Sequence, residues 1–352
     1  MRACGPPAAW IGSGPTGQGH TGGISLLTLG GADGLEPSVR HVIDAEAPTF
    51  LAAHPTLPRL YAVQEVTVGA VASFEILPGA GLRRTAELSS GGAQPCHVLV
   101  HPSGRWLYVS NYGDGSVAAI RLSAAGDLFG RPVVLKHSGS GPVCDRQESS
   151  HAHSSVVSPC GRYLVVADLG TDELRAYILD DGEPVGPSIL TAMPPGFGPR
   201  SMEVLNDHVY ITGELAGEVA VVTLDRSGRG RVVQRLRNSR AATASKTPAR
   251  PSHVVAVPAG LLVGVRGSDS ILTLGVRTDG VQLDVASEAH TVASPRHMAV
   301  VGGAVVVAGQ LARMLAVHPM RSDGAIDRLV AQFPFPAPMC ILSAKGLKHG
   351  GP

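Results

Sequence analysis

Residues 151–169 read HAHSSVVSPCGRYLVVADL, and the pattern of this stretch recurs along the chain. Each copy begins at a proline or alanine and continues with a short apolar run, a tight turn, a second apolar run and a polar residue. Repetition at a roughly constant spacing is typical of architectures built from one structural unit used several times. The stretch therefore predicts a unit that is repeated throughout the protein.

The first residues of the copies are 43 to 57 positions apart and mark six complete copies and a truncated one. They are Pro48, Pro95, Ala152, Pro199, Pro251, Pro295 and, for the truncated copy, Pro338. The apolar runs are too short for helices, and the 44 glycines and 27 prolines supply frequent turns. A strand-only repeat of this length is typical of propeller blades. The sequence predicts an all-β propeller that forms a single domain over residues 1–352.

The strands of a blade can be located in the copy that starts at Pro95. Glycine-containing turns such as Ser103-Gly104-Arg105 separate four apolar runs, as antiparallel hairpins require. The four expected strands are residues 97–100, 106–111, 116–122 and 132–136.

The two chain ends are expected to share one blade. The N-terminus has no first strand, because residues 8–13, 22–29 and 38–45 fit the second, third and fourth strands. Residues 338–343 match the missing first strand. Pairing the ends closes the ring and leaves fewer exposed strand edges. The sequence thus predicts seven blades.

Composition narrows the functional classes. Lys and Arg total 29 and Asp and Glu total 28, so the charges are nearly balanced. The sequence also contains no basic stripe, and nucleic acid is therefore not expected as a partner. The five cysteines are widely spaced and lack CxxC pairs, which disfavours a disulfide framework and a zinc site. We find neither a secretory signal pattern nor an apolar run long enough to span a bilayer. We expect a cytoplasmic location without membrane attachment.

Two inserts interrupt the repeat, at residues 136–150 and 238–250. Both precede a first strand. Loops at these positions either overhang the centre of the ring or remain ordinary surface loops, and the sequence leaves both open.

Polar residues are expected to converge at one end of the channel. The second strand of a blade runs antiparallel to the first, so the start of one meets the end of the other. The set at the first-strand starts is Thr49, Cys96, His153, Arg200, Ser252, Arg296 and Met339. The set at the second-strand ends is Glu65, Asn111, Asp168, Glu214, Arg266 and Gln310. Such convergence predicts a ligand site at the channel mouth.

These residue types favour attack of water on an activated carbonyl, or the reverse reaction. Histidine moves protons near neutral pH, and arginine binds carboxylates or phosphates and stabilises a developing oxyanion. His151 and His153 also fit two metal ligands, but no third ligand has a suitable spacing. We therefore predict neither a metal nor a cofactor.

Several segments, in this order, resemble the lactonase family of seven-bladed propellers. That family includes cytoplasmic 6-phosphogluconolactonases and is similar in fold to the fungal 3-carboxy-cis,cis-muconate lactonizing enzyme. The resemblance extends from Trp10 to Leu342. The segments that carry it are HAH (151–153), SPCGRYLVVADLGTDELRAYILD (158–180), GPR (198–200), VYITGEL (209–215), PSHVV (251–255), VRGSDSI (265–271) and SPRHMAV (294–300).

The resemblance implies a catalytic set of His153, Arg200, Glu214 and Arg266, with His151 as the alternative histidine. Ser201 stands where the family pattern has histidine and Val265 where it has asparagine, which bears on substrate preference. The further residues predicted to bind substrate are His151, Arg296, Asp168, Glu65, Asn111 and Gln310. For Asp168, capping of the following turn is the competing interpretation.

The leading functional hypothesis is hydrolysis of a small anionic sugar lactone, with 6-phosphogluconolactone as the best single substrate. A muconate-type cycloisomerase and a non-catalytic binding platform are the alternatives. Arginine binds phosphate and carboxylate alike, so the sequence does not rank the two. The oligomeric state also stays open.

Overall fold

The computed structural model describes residues 6–16, 21–237 and 248–344. These residues form 28 β-strands in seven four-stranded sheets, with one short 3-10 helix at Pro78–Ala80. Among the described residues, no helix is long and apolar enough to cross a membrane. The prediction of an all-β, seven-bladed propeller is confirmed.

Strands follow one another in chain order within each blade except the closing one. Blade 1 contains β28 (Pro338–Ser343), β1 (Ala8–Ser13), β2 (Gly23–Gly30) and β3 (Glu36–Asp44). Blades 2 and 3 contain β4 (Leu51–Ala53), β5 (Arg59–Gln64), β6 (Ala70–Leu77), β7 (Gly81–Ser89), β8 (Pro95–Val100), β9 (Trp106–Asn111), β10 (Val117–Leu122) and β11 (Leu128–Leu135).

The remaining blades have the same organisation. Blades 4 and 5 contain β12 (Ala152–Val157), β13 (Tyr163–Asp168), β14 (Glu173–Asp180), β15 (Glu183–Ala192), β16 (Pro199–Leu205), β17 (His208–Gly213), β18 (Glu218–Leu224) and β19 (Gly230–Arg237). Blades 6 and 7 contain β20 (Arg250–Val257), β21 (Gly260–Arg266), β22 (Ser270–Val276), β23 (Leu283–His290), β24 (Pro295–Val301), β25 (Ala304–Gly309), β26 (Met314–Pro319) and β27 (Ala331–Pro334).

The ring closes where the two ends of the chain pair. Strand β28 runs antiparallel to β1, with Trp10 opposite Leu342 and Ile11 opposite Ile341. Ile341 is 1% exposed, so the C-terminal strand is part of the core. The closure predicted from the sequence is confirmed.

One predicted strand boundary is wrong. The fourth strand of blade 3 begins at Leu128, four residues before the expected start at Pro132. Gly130 adopts a left-handed conformation with φ of 75°, and the pairing of β10 with β11 shifts register there. A bulge thus lets the strand continue through a segment that reads as a turn.

Second strands are the most deeply buried part of each blade. Every residue of β9, β13 and β25 is buried, because apolar side chains pack against both neighbouring blades. Tyrosines in these strands also connect blades. Tyr61 donates a hydrogen bond to the Gly126 carbonyl at 2.6 Å, and Tyr210 donates to the Gly280 carbonyl at 2.6 Å. Each such bond contributes about 1 kcal/mol and fixes adjacent blades relative to each other.

Candidate active site

Strand pairing brings the predicted site residues to one end of the channel. Ala152 lies opposite Asp168, Pro199 opposite Gly213, and Arg250 opposite Arg266. The start of each first strand therefore meets the end of the second, as the repeat pattern predicts. We call this end of the channel the mouth.

Glu214 is the centre of a cluster of charges at the mouth. One carboxylate oxygen lies 2.8 Å from Arg200 Nε and 2.7 Å from an Arg266 terminal nitrogen. The other accepts a hydrogen bond from Arg146 at 2.8 Å. Burial alone would raise the pKa of Glu214, but the charges of Arg266 and Arg200 outweigh burial and hold it well below the usual range. Glu214 is therefore ionised at any working pH and holds three guanidinium groups together.

Arg200 is the most buried of the three guanidinium groups. It also donates a hydrogen bond to the Ser252 carbonyl of blade 6, so it spans two blades. Burial first, and then the neighbouring Arg266 charge, lower the pKa of Arg200 to about 9. The guanidinium still carries its charge at neutral pH, where it is available to a substrate oxygen.

His153 lies beside this cluster and lines the cavity below the mouth. Its Nδ1 is 3.9 Å from the Cys96 sulfur, and the ring of Tyr112 meets it edge to face at 5.5 Å between centroids. Burial, followed by the positive charge of Arg200, lowers the pKa of His153 well below its usual value. The imidazole is neutral at neutral pH and can accept a proton.

His151 and Asp168 make structural contacts. The His151 ring stacks on Tyr112 at 4.4 Å between centroids, with Nδ1 2.7 Å from the Tyr112 carbonyl and Nε2 3.1 Å from Glu148. Asp168 is fully buried and accepts hydrogen bonds from the backbone amides of His151 and Gly170, while its other oxygen lies 2.8 Å from His137 Nδ1. Asp168 thus makes the capping contacts that the sequence offers as the alternative to ligand contact.

Asn111, also predicted to bind substrate, makes hydrogen bonds within the protein. The side chain is fully buried, and its amide donates to the Ser90 carbonyl at 3.1 Å and the Ser116 hydroxyl at 3.0 Å. These bonds fix the turns that flank the end of β9. Asn111 therefore shapes the rim of the mouth from below.

A second, smaller charge cluster lies on the blade 7 side of the mouth. Arg296 lines the same cavity as His153, lies 3.7 Å from a Glu65 oxygen and donates to the Gln310 side chain at 3.4 Å. The structure thus brings Arg296, Glu65 and Gln310 together, across the ring from the Arg146 side. Arg296 and Glu65 balance each other in charge.

Sequence reasoning missed Arg146. This residue lies in the insert at 136–150, and the side chain reaches the mouth to contact both Glu214 and, at 3.4 Å, the hydroxyl of Tyr112. The sequence leaves open whether this insert overhangs the centre of the ring or is an ordinary surface loop; in the structure it overhangs the mouth. Much of the other insert, residues 238–247, lies outside the described residues. The available signal for Arg146 was a single arginine inside an insert that precedes a first strand.

Sequence reasoning also missed His97, His253 and His297, which form a second ring of side chains around the channel, below the residues of the mouth. His253 and His297 stack with 3.7 Å between ring centroids, while His97 contacts Phe50 at 4.5 Å. They line, together with His153, a cavity of about 20 Å³, room for roughly one water. A ligand of the size of a sugar does not fit in this cavity, whereas the mouth above it is open to larger molecules. Over the described residues, no three His, Cys, Asp or Glu side chains are placed to hold a metal ion.

The buried histidines predict acid sensitivity. Burial, with the positive charge of Arg200 nearby, lowers the pKa of His97 and of His253 from the usual 6.5 to about 3. Above pH 6.5 both folded and unfolded states carry these rings neutral, and stability is full. As pH falls from 6.5 towards 3, only the unfolded state takes up the protons. Each ring then costs about 1.4 kcal/mol of unfolding free energy per pH unit.

The test is chemical denaturation between pH 7 and pH 5. The slope of unfolding free energy against pH should flatten in His253→Gln, because glutamine takes up no proton. His290→Gln, at an exposed position on β23, is the matched control and should keep the wild-type slope. Equal slopes for wild type and His253→Gln would contradict the assignment.

A larger groove of about 410 Å³ lies at the opposite end of the blades, beside Trp106 at the start of β9. Its charges are paired within the protein, Arg121 with Glu183 at 3.0 Å and Arg105 with Asp181. Arg121 also lies over the Trp106 ring at 5.0 Å. The charges of the groove form separate ion pairs, whereas those of the mouth gather around one buried carboxylate.

The structure is thus a closed seven-bladed propeller whose mouth holds a neutral histidine beside a carboxylate that is paired with three arginines. The model of the seven-bladed β-propeller lactonases matches residues 8–343, and the chain belongs to this family.

Two similar proteins are both named 6-phosphogluconolactonase. The Bacillus subtilis protein is 28% identical over 222 residues, which are 57% of this chain and 61% of the relative. The Formosa agariphila protein is 31% identical over 186 residues, which are 50% of this chain and 53% of the relative. The chain thus spans little more than half the length of these relatives.

Solved structures match over almost the full chain. A periplasmic gluconolactonase from Pseudomonas aeruginosa has a TM-score of 0.85 at 27% identity and covers 96% of this chain and 98% of its own. A protein described as a putative 6-phosphogluconolactonase from Bacteroides fragilis has a TM-score of 0.84 at 20% identity, with 97% and 99% covered. The second likeness concerns the fold alone.

Proposed function

We propose that the protein is a carboxylic-ester hydrolase that opens a sugar lactone, with 6-phosphogluconolactone as the favoured substrate. The observation that carries the proposal is the buried Glu214 carboxylate, which gathers Arg146, Arg200 and Arg266 next to neutral His153. The names of the family and of its relatives support the same chemistry. Such a reaction belongs to carbohydrate metabolism, in the pentose phosphate pathway.

The proposed reaction begins with water, from which His153 takes a proton as the water oxygen attacks the lactone carbonyl. Negative charge then develops on the carbonyl oxygen, and Arg200 stabilises it. When the ring ester bond breaks, the alkoxide leaving group takes the proton back from His153. The product is an open-chain carboxylic acid, which ionises to the carboxylate by releasing its proton to solvent. These reaction steps use only side chains of the protein, so the activity is proposed to be independent of metal.

Glu214 has a positioning role in this proposal. Its pKa is held too low for it to serve as a general acid, and its oxygens are occupied by guanidinium groups.

Binding of an anionic substrate would also change the pKa of His153. The pKa of that histidine is lowered partly by Arg200, so added negative charge raises it towards the range in which a base is most effective.

The test is hydrolysis of freshly prepared 6-phosphogluconolactone by wild type and by His153→Ala. We expect kcat to fall about 100-fold in the variant, since a positioned general base contributes roughly 10²–10⁴. His151→Ala, which removes the neighbouring ring, should lose much less. A wild-type rate equal to spontaneous hydrolysis would end the assignment.

A muconate-type cycloisomerase is the second candidate, because the same guanidinium groups can hold carboxylates. The discriminating measurement is the ultraviolet absorbance of a carboxylated muconate incubated with the protein. A flat trace would reject this candidate.

A cytoplasmic location is part of the main proposal, since its substrate is a phosphorylated intracellular sugar; one structural relative is described as periplasmic.

A further inference from the structure

The insert at residues 136–150 brings a third guanidinium to the mouth, and nothing in the repeat pattern requires it. We propose that Arg146 is a specificity-determining residue that, together with Arg266, binds the distal phosphate of the substrate. The inference rests on the proposed lactone hydrolysis for its substrate class. It assigns the phosphate to a loop residue, whereas the reacting carbonyl lies with Arg200 and His153.

Charge balance at the mouth indicates a doubly charged anion. Arg146, Arg200 and Arg266 surround the single carboxylate of Glu214, which leaves an excess of two positive charges among these four side chains; Glu148, which also acts on Arg146, is 60% exposed and pairs with His151. A phosphate monoester carries about −1.5 to −2 charges at pH 7 and matches this excess. On the other side, Arg296 faces Glu65 at 3.7 Å, so that pair has no comparable excess.

Exposure separates the two tasks among the three arginines. The Arg200 side chain is 6% exposed and donates to the Ser252 carbonyl, so it lies deepest of the three, on the side of the reacting carbonyl. The side chains of Arg266 and Arg146 are 19% and 26% exposed. These two side chains are therefore the more accessible of the three, and Arg266 Nε has no hydrogen-bond partner among the described residues. Arginine forks bind phosphate oxygens in pairs, so two adjacent forks form a suitable site.

The loop that carries Arg146 is fixed before any ligand arrives. Asp168 holds both ends of it, through His137 Nδ1 at 2.8 Å and the His151 backbone amide at 2.8 Å. In the middle, buried Gln147 donates to the Leu169 carbonyl at 2.8 Å and accepts from the Val143 amide at 3.1 Å. Preorganisation of this kind lowers the entropic cost of binding.

The test compares two lactones that differ only in the phosphate, 6-phosphogluconolactone and glucono-δ-lactone. We expect Arg146→Gln to lower the ratio of their kcat/KM values, phosphorylated over unphosphorylated, by about 10- to 100-fold, as loss of a charge-assisted hydrogen bond implies. Arg146→Lys keeps the charge and should recover part of the ratio. Arg131→Gln, at an exposed position on β11, is the control and should retain the wild-type ratio.

A binding measurement separates this inference from the proposed function. Titration calorimetry with 6-phosphogluconate and gluconate requires no turnover, and Arg146→Gln should weaken 6-phosphogluconate at least tenfold more than gluconate. Preferential binding of 6-phosphogluconate without hydrolysis would remove the proposed function and leave the site intact. Equal losses for both ligands in Arg146→Gln, or no binding of 6-phosphogluconate to wild type at millimolar concentration, would overturn the assignment of Arg146.

Discussion

Deletion of residues 338–352 is expected to leave an insoluble, largely unfolded chain. The deletion removes β28, the first strand of blade 1, and with it every interstrand hydrogen bond between β28 and β1. Cys340 packs with Trp10, and Ile341 packs with Ile11 and the blade 7 core. Burial of one large apolar side chain contributes about 1.5–3 kcal/mol, whereas a whole domain has only about 5–15 kcal/mol of net stability.

Loss of β28 also opens the ring, because the same strand packs against the first strands of blades 2 and 7. The exposed edge of β1 would then be free to pair with other chains. The measurement is far-ultraviolet circular dichroism combined with size-exclusion chromatography. A chain that ends after Ala344 keeps β28 and serves as the control. A soluble monomer with the wild-type spectrum after the full deletion would contradict the closure argument.

The repeat pattern predicted the blades well because strand positions depend on local sequence. Residues 8–13 and 338–343 were predicted as paired strands and are β1 and β28. Antiparallel order within a blade then places His153, Arg200, Glu214 and Arg266 at one mouth without further information. These placements follow from alternating apolar runs and turns, which are properties of short segments.

Two features of the site could not be read from that pattern. Arg146 reaches Glu214 from a loop whose two ends are held by buried Asp168, and such long-range contacts leave no local periodicity. The second ring depends on register shifts at the starts of first strands, as between Pro95 and His97. A bulge there interrupts strict alternation, so two successive residues, Cys96 and His97, both line the cavity.

Replacement of Glu214 by glutamine is expected to have the largest effect on activity of any single substitution at the mouth. The carboxylate is the only negative charge in contact with Arg146, Arg200 and Arg266 among the described contacts. Glutamine keeps the size but removes that charge and offers an N–H to groups that have only donors. Three guanidinium groups would then repel one another in a buried setting.

The repulsion should be visible in stability. Removing one partner of a buried ion pair costs about 3–5 kcal/mol, because the other charge stays buried without compensation. Here the cost falls mainly on Arg200, which is 5% exposed and connects blades 5 and 6 through Ser252. We therefore expect a clear fall in the unfolding midpoint of Glu214→Gln in urea.

Activity should fall further than this loss of stability explains. Loss of a single donor to a developing oxyanion costs about 10²–10³ in kcat, and here Arg200 and Arg266 lose their common anchor together. We expect kcat/KM for the phosphorylated lactone to drop about 10³-fold or more, measured at a temperature where the variant is fully folded. Glu218→Gln is the matched control, since Glu218 is a buried carboxylate of the same blade that pairs with Arg235 at 2.7 Å. That variant should lose stability and keep its activity, whereas an active Glu214→Gln would show that the mouth does not depend on this carboxylate.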